Sequence, residues 1–501
     1  MPDHPTEDAA RADASEEAQA PIVAYLASLA TEPPITTHLS RVFLLPGRVL
    51  KLKRARTLPF VDYAPLAARE AYCRQEIDVN RRFAPALYTA ARPVHFDGAS
   101  YAIEGAGEIV DWVVDMKRFD TRSQFDMMVE AGTLDGDLID ALALRIAAMH
   151  REAEIVRVRD QVDRVTALCT QLRDDIAPHL SDPADRAALD AWDAKARDTL
   201  AREAARLDRR ARHGFVRRCH ADLHLSNICL WEGAPTLFDA IEFDEDLATI
   251  DVLYDVAFAL IDLSFRGRAD LSSRLLSRYL EATRDYAGLA VLPLFLSNRH
   301  MVRALVGVMK GRDPAPYLAA AGAVLAAGHR PRLIAIGGRS GTGKSTVARG
   351  LAPLIGAVVI RSDAIRKHLA GTAPHEKLPE SAYTAEARAA IYRRMLVDAR
   401  RAVRAGWPVI LDATFLGEAA RDAVGAAAAA WGVPFEGLWL EAATDLLASR
   451  VTARANDVSD ADARVVAAQA TVETGAMRWT VVPAGGSPEA VVAAAKAALD
   501  R

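Results

Sequence analysis

Cysteine is scarce in this chain: there are four in 501 residues, Cys73, Cys169, Cys219 and Cys229, and no two form a C-x-x-C pair. That excludes a disulfide scaffold and fits a reducing compartment. Long apolar runs are missing too, since no segment approaches the ~20 apolar residues of a membrane span. The N-terminal stretch carries Asp3, Glu7, Asp8 and Asp13 where a secretory leader would carry basic residues and then an apolar core. A cytoplasmic protein without a membrane partner is expected. Nor is there an excess of positive charge: 62 Lys and Arg stand against 66 Asp and Glu, a formal net charge of −4, with an isoelectric point near 6.3. No nucleic-acid partner is expected, beyond what a local basic groove could hold. Residues 1–20, mostly Ala, Asp, Glu and Pro, have almost no large apolar group and are expected to form a disordered tail. The remaining length suits about three domain-sized units.

The clearest positive signal lies far along the chain. Gly338, Arg339, Ser340, Gly341, Thr342, Gly343, Lys344 and Ser345 spell G-x-x-x-x-G-K-S and lead into Thr346. An apolar run, 333–336, precedes the motif, and the helical spacing Val347, Leu351, Leu354 follows it. Strand, glycine loop and helix in that order converge backbone N–H donors on a phosphate and add the positive end of the helix. Lys344 is then placed for the β and γ phosphates, and the Ser345 hydroxyl for Mg2+. ATP and Mg2+ are the expected cofactors.

Upstream, Val-Phe-Leu-Leu, Pro46-Gly47 and Arg-Val-Leu-Lys-Leu-Lys read as a β-hairpin, whose period-two alternation puts Lys51 and Lys53 on one face. A helical pattern over 66–83 offers Glu70 and Glu76 as partners for such a lysine. A strand is expected over 111–119 and a helix over 138–150, with His150 a structural histidine. Residues 151–212 are polar and helical, without recognisable chemistry. The segment beginning at Cys219 contains H-x-D-x-x-x-x-N, with Asp222 and Asn227, and reaches Asp239 after a turn centred on Gly233. Pairing about that centre sets Asn227 opposite Asp239. An amide oxygen and a carboxylate so placed suit Mg2+, and Asp222 is left to face a substrate hydroxyl. Zinc ligation by Cys219, His220, His224 and Cys229 is the weaker alternative, because zinc ligands usually come as close pairs with a long spacer.

On these residues the stretch from about 36 to 329 resembles the aminoglycoside phosphotransferase family, which has a protein-kinase-like fold. The resemblance implies that Asp222 is the catalytic base and that Asn227 and Asp239 hold Mg2+. It also implies that Lys51, or Lys53 beside it, pairs with nucleotide phosphates and that Glu76, ahead of Glu70, is its helix partner. The glycine-rich loop of protein kinases is absent, leaving Thr37-His-Leu-Ser40 and Gly47.

After Pro331, further apolar runs at 358–360, 409–411, 437–440 and 479–482 alternate with helices, so a five-stranded parallel sheet is expected with ligands beyond its strand ends. Arg361-Ser-Asp363-Ala-Ile-Arg366 follows the second run and Asp412-Ala-Thr414 the third. This part resembles small P-loop kinases of the gluconate kinase and zeta-toxin sort. The likeness implies that Asp363 accepts the proton of a substrate hydroxyl, Arg366 grips substrate or phosphate, Asp412 orients Mg2+ through water, and Arg450 and Arg454 act as lid arginines.

The expected architecture is therefore α/β and α+β. After the tail (1–20) come a bilobal protein-kinase-like domain over 21–329 and a P-loop kinase domain over 330–501. The expected activity is transfer of the ATP γ-phosphoryl group to hydroxyls of small molecules. Three rivals differ in class: a P-loop ATPase switch, a kinase-like module that binds without catalysis, and a polynucleotide 5′-kinase, which the overall charge does not support. Oligomeric state is not encoded in any motif.

Overall fold

The computed structural model describes residues 15–58, 61–328, 330–372, 376, 378–452 and 463–500. By contact the chain forms two compact units. One takes the described residues up to Leu134 together with Ala148–Arg157 and Gly214–Phe258; the other takes Asp135–Ala147, Val158–His213 and everything from Ala259 onward. Among the described residues no helix is long and apolar enough to cross a membrane.

The first unit is built on an antiparallel sheet of β1 (Ile35–Thr36), β2 (Ser40–Leu45), β3 (Arg48–Lys53), β4 (Tyr88–Phe96), β5 (Tyr101–Ile103) and β6 (Glu108–Lys117), in the order β1-β2-β3-β6-β4-β5. Helices bury both faces. Helix α1 (Ala20–Leu29) packs Ile22 and Leu26 against Phe43, Leu45, Leu50 and Leu52. Helix α2 (Leu66–Asn80) packs Cys73 and Ile77 against Leu44, Val49 and Val114 on the other face. This corrects the expected tail at its end, for residues 15–20 are tied in. Gln19 is buried; its amide donates to the Lys53 carbonyl at 2.9 Å and to Asp111 at 2.8 Å, and its oxygen accepts from Ala55 N at 2.8 Å. Glu16 pairs with Arg41 and Arg54. Composition alone misses these because they are polar contacts to residues distant in the chain. Residues 1–14 lie outside the described residues.

A short hairpin, β7 (Ile228–Trp231) with β8 (Ala234–Leu237), completes the first unit's site. Its register is Ile228↔Leu237 through Trp231↔Ala234. The turn is the two residues Glu232 and Gly233, both left-handed at φ 50° and 81°, as tight hairpins of this hand require. The centre therefore lies half a residue earlier than expected. Asn227 stands opposite Phe238, not Asp239, and Phe238 N donates to the Asn227 carbonyl at 3.0 Å.

In the second unit, helix α3 (Ala269–Thr283) precedes a parallel sheet of β9 (Leu333–Gly338), β10 (Val358–Arg361), β11 (Val409–Asp412), β12 (Phe435–Glu441) and β13 (Thr480–Pro483). The order is β10-β11-β9-β12-β13, with every neighbour parallel. All five strands fall where the apolar runs placed them. Residues of β9, β10 and β11 are buried throughout, as expected of strands covered on both faces. The edge strand β10 is not left open to other chains. Val359 N donates to Ser277 Oγ of α3 at 3.2 Å. By contact, then, residues from Ala259 up to the phosphate loop group with the P-loop sheet.

His300, on the helix Leu292–Met309, is 5% exposed and lies in this unit. Burial, reinforced by the Arg303 charge, lowers its imidazole to about 4. A depressed folded value means that stability is full above the unfolded value of about 6.5 and is lost as pH falls toward 4. The loss is expected to approach about 3 kcal/mol. Amide hydrogen exchange across the helix Leu292–Met309, compared between pH 7 and 4 after correction for intrinsic rates, should show it, and His300→Phe should flatten it.

Candidate functional site

The phosphate loop leaves β9 with Gly338 and enters helix α4 (Lys344–Ile355) through Gly343. At Gly341 (φ +89°) a Cβ would lie 2.7 Å from the Leu447 carbonyl, so only glycine fits beneath the helix Thr444–Thr452. The Lys344 ammonium donates to the Arg339 carbonyl at 2.9 Å, folded back over its own loop. The Thr342 hydroxyl donates to the same carbonyl at 2.8 Å. Ser345 Oγ meets Asp412 Oδ2 at 2.5 Å, joining the start of α4 to the end of β11. Burial pushes the Asp412 carboxyl above its usual range, while the charges of Lys344 and Arg361 and the Ser345 hydrogen bond pull the other way and Asp363 adds to the rise. Lys344, Ser345, Asp363 and Asp412 are thus gathered at the strand ends. A hydroxyl and a buried carboxylate that lacks full compensation are hard oxygen donors, and they fit Mg2+.

Helix α5 (Ser362–Ala370) follows β10 directly, so Asp363 sits in its first turn. Arg366 donates to Asp363 Oδ1 at 2.6 Å and lies 4.5 Å over the Tyr383 ring. Asp363 and Arg366 are therefore held as a pair. Arg450, on α6 (Thr444–Thr452), donates to the carbonyls of Ala484 and Gly486 at 2.8 and 3.2 Å; it ties α6 to the turn after β13. Arg454 lies outside the described residues. Two groups here escaped the sequence reading. Gln469, on α7 (Ala463–Ala470), accepts from Ser340 N at 2.7 Å, on a loop amide of the kind that phosphate oxygens use. Arg361 is clasped by Glu281 of α3 through two 2.6 Å bonds.

In the first unit, period two on β3 does put Lys51 and Lys53 on one face, and both reach Glu76 of α2, at 2.9 and 2.7 Å. They differ in what else they touch. Lys51 donates to Asp239 Oδ1 at 2.6 Å and keeps 15% of its side chain exposed, whereas Lys53, at 1%, is sealed against Glu242 at 2.6 Å. Only Lys51 borders the 42%-exposed Asp239 carboxylate. Glu70 instead makes an exposed pair with Arg74. Burial alone would raise the Glu76 and Asp239 carboxyls, but the adjacent ammoniums hold both below the usual range. Burial wins at Glu242, which is raised.

The loop carrying Asp222 is pinned from beneath. Asp255 accepts from His220 N at 3.1 Å, from Ala221 N at 2.8 Å and pairs with His150 at 3.0 Å. That holds Ala221 at φ +69°, which a non-glycine residue adopts only under such constraint. His150 is structural, as expected, while Asp255 went unread because its partners are backbone amides 34 and 35 residues away. Asn227 Nδ2 donates to the Asp222 carbonyl at 2.9 Å and to its carboxylate at 3.0 Å. Asp239 is left-handed (φ 60°), its N–H donating to Tyr88 Oη at 3.0 Å. The side chains touch in two pairs, Asp222 with Asn227 just before β7, and Lys51 of β3 with Asp239 just after β8. Among the described residues the zinc alternative is not assembled: the grouping of ligand type is His150, Cys219 and Asp255, and Asp255 is already engaged.

The family model for the AAA domain matches residues 333–474. Among solved structures, a gluconokinase from Sinorhizobium meliloti is 22% identical, covering 34% of this chain and 94% of that one, with a TM-score of 0.27. The Mycobacterium tuberculosis APS kinase CysC is 18% identical, covering 34% and 99%, also at 0.27. A choline kinase from Cryptosporidium parvum is 10% identical, covering 61% and 93%, at 0.39. Among curated proteins, the uncharacterized proteins Rv2004c of Mycobacterium tuberculosis and Mb2027c of Mycobacterium bovis are each 30% identical over 456 residues, 87% of this chain and 88% of theirs. Identity sustained across nearly the whole of both chains places this protein in the family of those mycobacterial proteins, with an AAA domain, as its family model is described, in its C-terminal part.

Proposed function

We propose that the protein is an ATP- and Mg2+-dependent phosphotransferase with two nucleotide sites, each able to transfer the γ-phosphoryl group to a hydroxyl of a small molecule. The observation that carries the reading is the 2.5 Å contact between Ser345 and Asp412, with the charges of Lys344 and Asp363 felt at the same carboxylate. In the second unit Lys344 turns from the Arg339 carbonyl to the β and γ phosphates. Asp363 takes the proton of the acceptor hydroxyl as its oxygen bonds to phosphorus and the bridging oxygen leaves with ADP. Arg366 holds Asp363 in place and adds positive charge beside the transferred group. In the first unit Glu76 aligns Lys51 for the phosphates, and Asp222, steadied by Asn227, receives the acceptor proton. Ser345 with Asp412, and Asn227 with Asp239, are the groups that would hold Mg2+, which when bound neutralises phosphate charge.

Each unit carries its own lysine and its own metal ligands, so the two sites should bind independently. Calorimetry on the full chain with Mg2+ and a non-hydrolysable ATP analogue is expected to show two sites, one after Lys344→Ala or Asp239→Ala, and none in the double variant. A single site in the unmodified protein would reduce one unit to a non-catalytic module. Loss of both sites from either single change would mean one composite site.

A further inference from the structure

The second unit also holds a cavity of about 20 Å³, bordered by α3, α4 and β10, in which positive charge exceeds negative. Arg274, Arg278, Arg349 and Arg361 line it against two carboxylates, Asp140 and Glu281. Arg274 is matched, donating to both Asp140 oxygens at 2.8 and 2.9 Å. Glu281 serves two guanidiniums at once. It accepts both bonds from Arg361 and a further one, at 2.8 Å, from Arg278 Nη1. Arg278 is only 5% exposed, and its buried Nε has no hydrogen-bond partner among the described residues. Arg349 Nε donates to the Ser345 carbonyl at 3.2 Å, along its own helix.

A buried lysine or acid left short of partners can lose its charge by changing protonation. A guanidinium cannot, and a buried polar group without a partner is destabilising until an acceptor arrives. Arginines presented together are suited to phosphate oxygens, which accept their N–H groups in pairs. The cavity is far below the several hundred Å³ of a nucleotide or drug-sized pocket, yet large enough for at least one water-sized oxygen. The phosphate loop, Asp363 and Asp412 do not line it. We propose that this cavity is a second anion site, taking the phosphate group of inorganic phosphate or of a phosphate monoester, separate from the nucleotide's phosphates.

The test uses the full chain with its nucleotide sites filled by Mg2+ and a non-hydrolysable ATP analogue. It is titrated calorimetrically at constant ionic strength with inorganic phosphate in one arm and glycerol 3-phosphate in the other. A saturable site is expected in at least one arm, weakened tenfold or more by Arg278→Met, as for loss of a charge-assisted hydrogen bond. Arg349→Gln, at a half-buried position, should weaken it several-fold and serves if Arg278→Met does not fold. Binding of phosphate alone identifies the free anion; binding of both identifies the phosphate group as what is recognised. No saturable binding in either arm, or binding unchanged in the variants, overturns the proposal.

Discussion

Asp363→Asn is expected to leave nucleotide affinity within a few-fold of the unmodified protein while transfer by the second unit falls by about 10²- to 10⁴-fold, the span of a positioned acid or base. The amide keeps the shape of the side chain and an oxygen for Arg366, which the carboxylate holds at 2.6 Å. What it loses is basicity. In the proposed mechanism nucleotide binding depends on the phosphate loop and on Asp412, and removing the Asp363 charge relieves the repulsion that Asp412 feels. Transfer from labelled ATP into a metabolite extract, run in the Asp222→Ala background so that only the second unit acts, measures the effect. Transfer at the unmodified rate would remove Asp363 from the mechanism.

The second large effect concerns stability. Lys53→Met is expected to destabilise the first unit by about 3–5 kcal/mol, the range for breaking a buried ion pair from one side. Lys53 neutralises parts of two buried carboxylates, Glu76 at 2.7 Å and Glu242 at 2.6 Å. Methionine fills the volume of the stem and restores none of the charge. Glu242 is already raised by burial, so its protonation limits the loss, and the variant should be least destabilised at acid pH. A chain of two units does not unfold in one step, which makes amide hydrogen exchange across β3 and α2 the appropriate measurement. Lys51→Met should do less to stability, because its partner Asp239 is 42% exposed, and more to nucleotide binding. A Lys53→Met loss under about 1 kcal/mol would mean that the carboxylates are held neutral without it.

Much of the architecture could be read from local patterns, for reasons that are themselves local. Buried parallel strands are uninterrupted apolar runs whichever neighbours they acquire, as β9, β10 and β11 are, and the partly exposed β12 and β13 still carry short apolar runs. The phosphate loop is a contiguous motif whose glycines meet steric demands within a few residues. Alternation on β3 is enough to put Lys51 and Lys53 on one face. The hairpin register was less secure. A shift from a turn centred on Gly233 to one shared by Glu232 and Gly233 exchanges Asp239 for Phe238 opposite Asn227, and turn centres differ by the left-handed tolerance of a single residue, Glu232 at φ 50°.

What only the tertiary structure decided are pairings between charges far apart in the chain. Lys51 and Lys53 have the same spacing, the same strand and the same helix partner; they are told apart by which meets Asp239 and which is closed off by Glu242, 188 and 189 residues away. The clasp of Arg361 by Glu281 and the hold of Asp255 on the Asp222 loop have no signature in their own segments. Hydrophobic periodicity is imposed by the element a residue belongs to, so the sequence by itself determined the elements, their order and the motifs on them. An ion pair is imposed by whichever element packs alongside, and burial then makes its formation obligatory. Which cations and carboxylates met, and which Arg278 nitrogen was left without a partner among the described residues, was settled only when the units closed on their cores.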